Sequence, residues 1–83
     1  MSETNEDRVL NLGEGFRADC TRLRLFVEVR EDGWNAGVYD MTSGKWVQEK
    51  ERVNSAHEGK AHATRIAAAA LQVVELQPNW TTL

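Results

Sequence analysis

Ser55-Ala56-His57-Glu58 opens the stretch that decides the fold, an alanine-rich segment whose pattern predicts one helix over about residues 56–77. Ser55 stands in the N-cap position, where its hydroxyl can accept a hydrogen bond from the backbone N–H of Glu58. The Glu58 carboxylate can in turn accept one from the Ser55 N–H, which completes a capping box. Pro78 cannot continue a helix, so we expect the helix to end just before it.

The apolar face of this predicted helix is built from small side chains in its first half. At about 100° per residue, the residues that share this face are Ala56, Gly59, Ala63, Ile66, Ala67, Ala70, Val73 and Val74. Gly59 is about 1 kcal/mol less favourable than alanine inside a helix, and close packing is the natural reason for it. The small-residue stripe therefore predicts a helix that lies close to a sheet, with space for a large strand residue such as Trp34.

Three β-patterned runs precede the helix, and we expect strands over about residues 22–31, 34–41 and 45–53. The first is the clearest, because its apolar residues recur at every second position. Asp32-Gly33 then suits a two-residue hairpin turn, which would set Val29 opposite Ala36.

The turn before the third strand, around residues 42–44, leaves two registers open. A loop of two or four residues would point Val47 inward and Trp46 outward beside Tyr39 or Met41. A three-residue loop with a left-handed Gly44 would point Trp46 inward and Val47 outward. This alternative has support because tryptophan is usually well buried. We favour the register with Val47 inward.

These elements predict an α+β fold: a three-stranded antiparallel meander followed by one C-terminal helix packed on one face. At 83 residues the chain has room for a single domain with one modest core, which we place at residues 9–83. Residues 1–8 carry almost nothing that could be buried and are expected to form a disordered acidic leader. Residues 9–21 suit either a short extended segment against the domain or further disorder.

Cysteine content and charge limit the compartment and the partners of the chain. Cys20 is the single cysteine, so no internal disulfide can form, and a reducing, cytoplasmic location is expected. No apolar run is long enough to span a membrane. The net charge of −3 lies in residues 1–21, which leaves the remainder neutral and without the basic excess typical of nucleic-acid binders.

Two histidines near the helix start lack the spacing of a metal motif. His57 and His62 are five residues apart, about 140° around a helix, whereas the zinc-binding pair needs a spacing of four on one face. Motifs for nucleophilic, phosphate-binding and dinucleotide-binding sites are also missing. We therefore expect a non-catalytic chain without a metal or small-molecule cofactor, in which Cys20 is a plain buried cysteine.

One helix covers one face of a sheet, so we expect a small binding or assembly module whose contact surface is the other face or an exposed strand edge. The residues expected to form this binding surface are Arg24, Phe26, Arg30, Tyr39, Trp46, Lys50 and Arg52. Aromatic residues among cations fit a protein partner or a second copy in a homodimer, with nucleic acid as the less favoured alternative. Packing of Phe26 on Tyr39 beneath arginine stems, or cover by residues 9–16, would explain the same residues without a partner.

Ser55-Ala56-His57-Glu58-Gly59-Lys60, followed by the alanine-rich residues 61–71, resembles the last helix of the double-stranded RNA-binding domain. In that family, too, three antiparallel strands precede a helix that begins with a capping serine and a lysine-rich first turn. The likeness covers roughly residues 22–76 and implies a similar strand-strand-strand-helix architecture. Of the family's phosphate-contacting lysines, only Lys60 has a counterpart, since Ala56 and His57 occupy the other positions.

Overall fold

Alternating apolar residues build the central strand of the sheet, and their side chains are buried on one side of it. The computed structural model describes residues 14–83. In this part of the chain the elements are β1 (Gly15–Cys20), β2 (Leu23–Arg30), β3 (Gly33–Asp40), β4 (Lys45–Arg52), α1 (Ala56–Leu71) and β5 (Thr81–Thr82). The strands pair antiparallel in the order β4-β3-β2-β1-β5, and α1 packs across β2 and β3.

The α+β fold class is confirmed, but the meander has four strands and not the three expected. The additional strand is β1, which is short and lies in a segment where the sequence pattern left order and disorder open. It ends in a turn whose positive-φ residue is Thr21 (φ 52°), at a position where glycine is the usual signal. The expected leader at residues 1–8, together with residues 9–13, lies outside the described residues.

The β2–β3 hairpin differs from the expected register by two residues. Its loop is residues 31–32, so Val29 lies opposite Trp34 and not opposite Ala36. The positive φ falls on Gly33 (φ 117°), directly after the loop, as in a type I turn followed by a bulge. The shift keeps every side chain on its expected face, because side chains alternate with a period of two.

The core lies between α1 and the sheet, and its large side chains come from the strands. Leu23, Leu25, Val27 and Val38 are fully buried. The buried residues of α1 are Gly59, Ala63 and Ala67. A Cβ atom on Gly59 would lie 2.8 Å from Cγ1 of Val27, closer than packed atoms approach. The expected close packing of the small-residue stripe on the sheet is therefore confirmed.

At the start of α1, one of the two expected capping hydrogen bonds is present. The backbone N–H of Glu58 donates to the Ser55 hydroxyl at 3.1 Å, as expected. The Glu58 carboxylate accepts from the backbone N–H of Asn54 at 3.2 Å, one residue before the expected donor. Both bonds still tie the chain entering the helix to its first turn.

The helix ends at Leu71, well before the expected residue 77. Gln72 is left-handed (φ 59°), and its N–H and the next one bond back to carbonyls of the last turn, as in a Schellman motif. The chain then returns so that Trp80 packs against the core and β5 pairs with β1. Val74, expected on the helix's apolar face, is fully exposed as a result. Among residues 14–83, no helix is long and apolar enough to cross a membrane.

Replacing Ala63 by leucine tests the close approach of α1 to the sheet. Ala63 is fully buried, so Ala63→Leu should overpack the interface and lower the free energy of unfolding by about 1–3 kcal/mol. Ala61 is exposed on the same helix, and Ala61→Leu should change it by less than about 0.5 kcal/mol. Urea unfolding followed by circular dichroism measures both variants. Equal losses would contradict the packing described above.

Candidate binding face

The side of the sheet away from α1 collects charged, polar and aromatic residues. We call it the outer face; by strand register its members are Arg17, Asp19, Arg24, Phe26, Glu28, Arg30, Asn35, Gly37, Tyr39, Trp46 and Arg52, and Lys50 joins them through its contact with the Phe26 ring. All seven residues expected to form the binding surface lie on this face. Sequence reasoning missed Arg17 and Asp19, because both belong to β1. The period-two alternation of residues 16–20 is the signal that could have found them.

The turn between β3 and β4 decides which aromatic side chains meet on the outer face. Asp40 Oδ1 accepts hydrogen bonds from two backbone N–H groups of the loop, at 2.9 and 3.2 Å. The loop closes with Gly44 (φ 74°), whose N–H donates to the Asp40 carbonyl at 2.9 Å. This four-residue loop, residues 41–44, sets Trp46 opposite Tyr39. The outward placement of Trp46 is therefore confirmed.

The pairing of β4 with β3 shifts register twice. β4 contains one more residue than β3 on either side of the pair Val38–Gln48. Val47, expected to point inward, falls at the first shift and is 41% exposed. After the second shift Glu51 points toward α1, where its carboxylate lies 2.7 Å from Nε2 of His62. The expectation for Val47 is wrong because it assumed an unbroken alternation in β4.

Three aromatic rings form a cluster on the outer face. The Trp46 ring centroid lies 5.0 Å from that of Tyr39, nearly edge-on at 74°, and 5.9 Å from that of Phe26, tilted at 54°. Such pairs contribute about 0.5–1.5 kcal/mol beyond area burial. Phe26 and Tyr39 are half-buried, while Trp46 remains 39% exposed. The cluster therefore stabilises the sheet and still presents an indole to solvent.

Lys50 lies over this cluster and ties it to a carboxylate. Its Nζ is 4.8 Å from the ring centroid of Phe26 and 5.7 Å from that of Trp46, both within cation–π range. The same ammonium forms an ion pair with Glu28. Across the strand from Phe26 is Gly37, where a Cβ atom would lie 2.9 Å from the Lys50 backbone nitrogen. Glycine is therefore what allows β4 to approach closely enough to place Lys50 over the rings.

Carboxylates on the outer face pair with several of its cations. Arg24 donates two hydrogen bonds to Asp19, at 2.7 and 3.0 Å, and this contact holds the pKa of the Asp19 carboxyl below its ordinary value. Arg30 lies 3.1 Å from Glu28, which also pairs with Lys50. Because these groups reach solvent, water and salt screen the pairs and each adds little to stability.

Asn35 organises the end of the face next to the β2–β3 turn. It is buried, and its side-chain amide donates to the Asp32 carboxylate at 3.0 Å and to the Gly33 carbonyl at 3.2 Å. The first of these bonds is the main cause of a lowered Asp32 pKa, and the charge of Arg52 adds to it. A shallow, open depression beside Asn35 also has Arg30 in its lining.

The two sheet edges are poorly suited to pairing with another strand. β4 is twice bulged and carries charged residues along its length, and bulges and charges are both features that discourage edge-to-edge pairing. The other edge is β5, which is only two residues long. The outer face is therefore the better candidate for contact than either edge.

The cysteine and the two histidines are the residues most able to act chemically. His57 is exposed, and Cys20 is buried, where burial and then the charge of Asp19 raise the pKa of its thiol. A raised thiol pKa disfavours the nucleophilic thiolate. Within residues 14–83, no three His, Cys, Asp or Glu side chains are grouped so that they could hold a metal ion.

No protein-family model, curated protein or solved structure matches this chain. Its function is therefore inferred from the fold and from the residues of the outer face.

The Arg24–Asp19 pair predicts a pH dependence of stability. Since the pKa of Asp19 is lower in the folded protein than its ordinary 3.8, the pair stabilises the fold above that pH. The contribution is lost as the pH falls through the lowered pKa. Arg24→Gln should raise the pKa of Asp19, which NMR of the carboxyl carbon measures. The free energy of unfolding in urea should then fall less steeply as the pH is lowered through the acid range. Arg65→Gln, at an exposed position on α1, is the control; identical Asp19 titrations in both variants would contradict this assignment.

Proposed function

We propose that this chain is a small non-catalytic binding or assembly module that contacts a protein, or a second copy of itself, through the outer face. The observation that carries the proposal is the cluster of Phe26, Tyr39 and Trp46 on the side of the sheet that α1 leaves uncovered. Trp46 is 39% exposed at its centre. Tyrosine, tryptophan and arginine are the residues most enriched at the energetic centres of protein interfaces.

The arrangement of this surface also fits a protein interface. Half-buried rings held edge-on to each other form a rigid apolar centre, so little side-chain entropy would be lost when a partner covers them. Exposed arginines flank the centre on two sides, with Arg17 opposite Phe26, and Arg30 and Arg52 toward the β2–β3 turn. An apolar centre with a charged rim is the usual anatomy of a binding surface.

Nucleic acid is the second candidate, because basic and aromatic residues lie together on the outer face. That alternative predicts an affinity that falls steeply with salt, as bound counterions are released from phosphates. The resemblance to the double-stranded RNA-binding domain adds little to it. Lys60 would be the phosphate-contacting residue, yet its Nζ lies 3.7 Å from the ring centroid of Phe16 on the helix side of the sheet. Absence of any complex with DNA or RNA at low salt would remove this candidate.

Exchange of Trp46 for serine tests the proposed contact surface. With the full chain as bait in a lysate of its native cells, a protein retained by the wild type should be lost with Trp46→Ser and should persist after nuclease treatment. Val74→Ser removes a fully exposed apolar side chain outside the outer face and should retain the partner. Sedimentation of the purified chain tests whether the partner is a second copy, which would appear as a dimer. Retention unaffected by Trp46→Ser, or abolished by nuclease, would contradict the proposal.

A further inference from the structure

Residues 72–83, which we call the return strap, are held to the domain by few contacts. Between α1 and β5 the strap has no regular secondary structure, and most of its residues are exposed. Leu76 and Trp80 are the side chains that pack against the core. Its backbone is tied to the sheet by the two-residue β5 and by the Leu83 N–H, which donates to the Gly15 carbonyl at 2.9 Å. Segments with so few buried contacts and backbone hydrogen bonds open at a lower free-energy cost than the core.

The strap covers a part of the core that α1 does not reach on its own. α1 packs across β2 and β3, whereas β5 at the end of the strap pairs with β1. Ala18 and Cys20 of β1 are buried, and they belong to the cluster against which Leu76 and Trp80 pack. Opening of the strap would therefore expose apolar surface beside β1 and give solvent a route to the Cys20 thiol.

The start of the strap has two conformations to choose between. The sequence pattern predicts a helix over residues 56–77, with Val73 and Val74 on its apolar face. The chain instead bends at Gln72, whose left-handed backbone (φ 59°) is unfavourable for a residue with a Cβ atom. The bend also leaves Val74 fully exposed. Local preference and tertiary contacts therefore favour different conformations of residues 72–77.

We propose that the return strap is a hinged element that opens at Gln72 while β1–β4 and α1 stay folded. In the open form residues 72–77 continue α1, and Trp80 leaves the core. Opening adds helical hydrogen bonds and relieves the left-handed residue, but it exposes Leu76 and Trp80, and their burial holds the strap closed. The hinge acts on the helix side of the sheet, so this inference does not rest on the proposed function of the outer face.

The rate at which a thiol reagent labels Cys20 in the full chain measures this opening, because the thiol is buried in the closed form. Trp80→Ala removes an anchor of the strap and should speed labelling at least about tenfold. The same variant should move the Cα resonances of residues 73–77 toward helical values. Gln72→Gly favours the left-handed bend and disfavours the helix, so it should slow labelling roughly fivefold.

The matched control is Thr21→Gly. Thr21 is the other non-glycine residue with a positive φ (52°) in residues 14–83, and it lies in the β1–β2 turn, away from the hinge. Glycine there relieves the same backbone strain and should leave the labelling rate within about twofold of the wild type. Labelling should also change little in urea below the unfolding transition, because a local opening exposes little surface.

Three outcomes would overturn the hinge. Labelling that follows the free energy of global unfolding in every variant would mean that Cys20 is exposed only when the whole domain unfolds. Slowing by Thr21→Gly and not by Gln72→Gly would place the opening at the β1–β2 turn. Faster labelling of Trp80→Ala without helical shifts in residues 73–77 would show that the strap opens without extending α1. The Gln72→Gly comparison keeps the test decisive if Trp80→Ala does not fold.

Discussion

The contact on which the rest of the structure depends is the close approach of α1 to the sheet at Gly59. Its backbone comes so near Val27 that a single methyl group would not fit, and fully buried alanines continue the contact along the helix. Large strand side chains fill the space beside these small helix residues. One helix is therefore enough to cover one side of the sheet. α1 does not cover the opposite side, and the polar and aromatic residues there face away from the helix.

Local hydrogen bonds and strand bulges determine which residues meet on the outer face. Hydrogen bonds to the Asp40 carboxylate hold the four-residue loop, and the loop length places Trp46 against Tyr39. The two bulges in β4 separate its residues between the faces, with Glu51 toward the helix and Lys50 over the rings. Gly37 makes room for this irregular strand. Turn and bulge geometry thus decide which side chains the outer face presents.

Stability accounts for part of the composition of the outer face. Edge-on packing and cation–π contacts stabilise a small sheet, and this alone would justify three aromatic residues on it. The incomplete burial of Trp46 and the exposed arginines go beyond what stability needs, because exposed ion pairs contribute little to folding. They are, however, what an interface with a rigid apolar centre and a charged rim requires. The proposed role follows from these exposed groups.

Local patterns in the sequence were sufficient for the α+β class, the three longest strands, the start of the helix, and the face on which each candidate residue lies. Period-two alternation, the Ser55 cap and the small-residue stripe are properties of neighbouring residues, and a register slip of two does not disturb them. Tertiary contacts decided the rest. Beyond the left-handed cap at Gln72 the chain turns back and Trp80 packs against the core, β1 pairs with β2 and β5, and the bulges of β4 depend on its fit to β3. These contacts join residues distant in the chain, so local patterns alone do not determine their free energy.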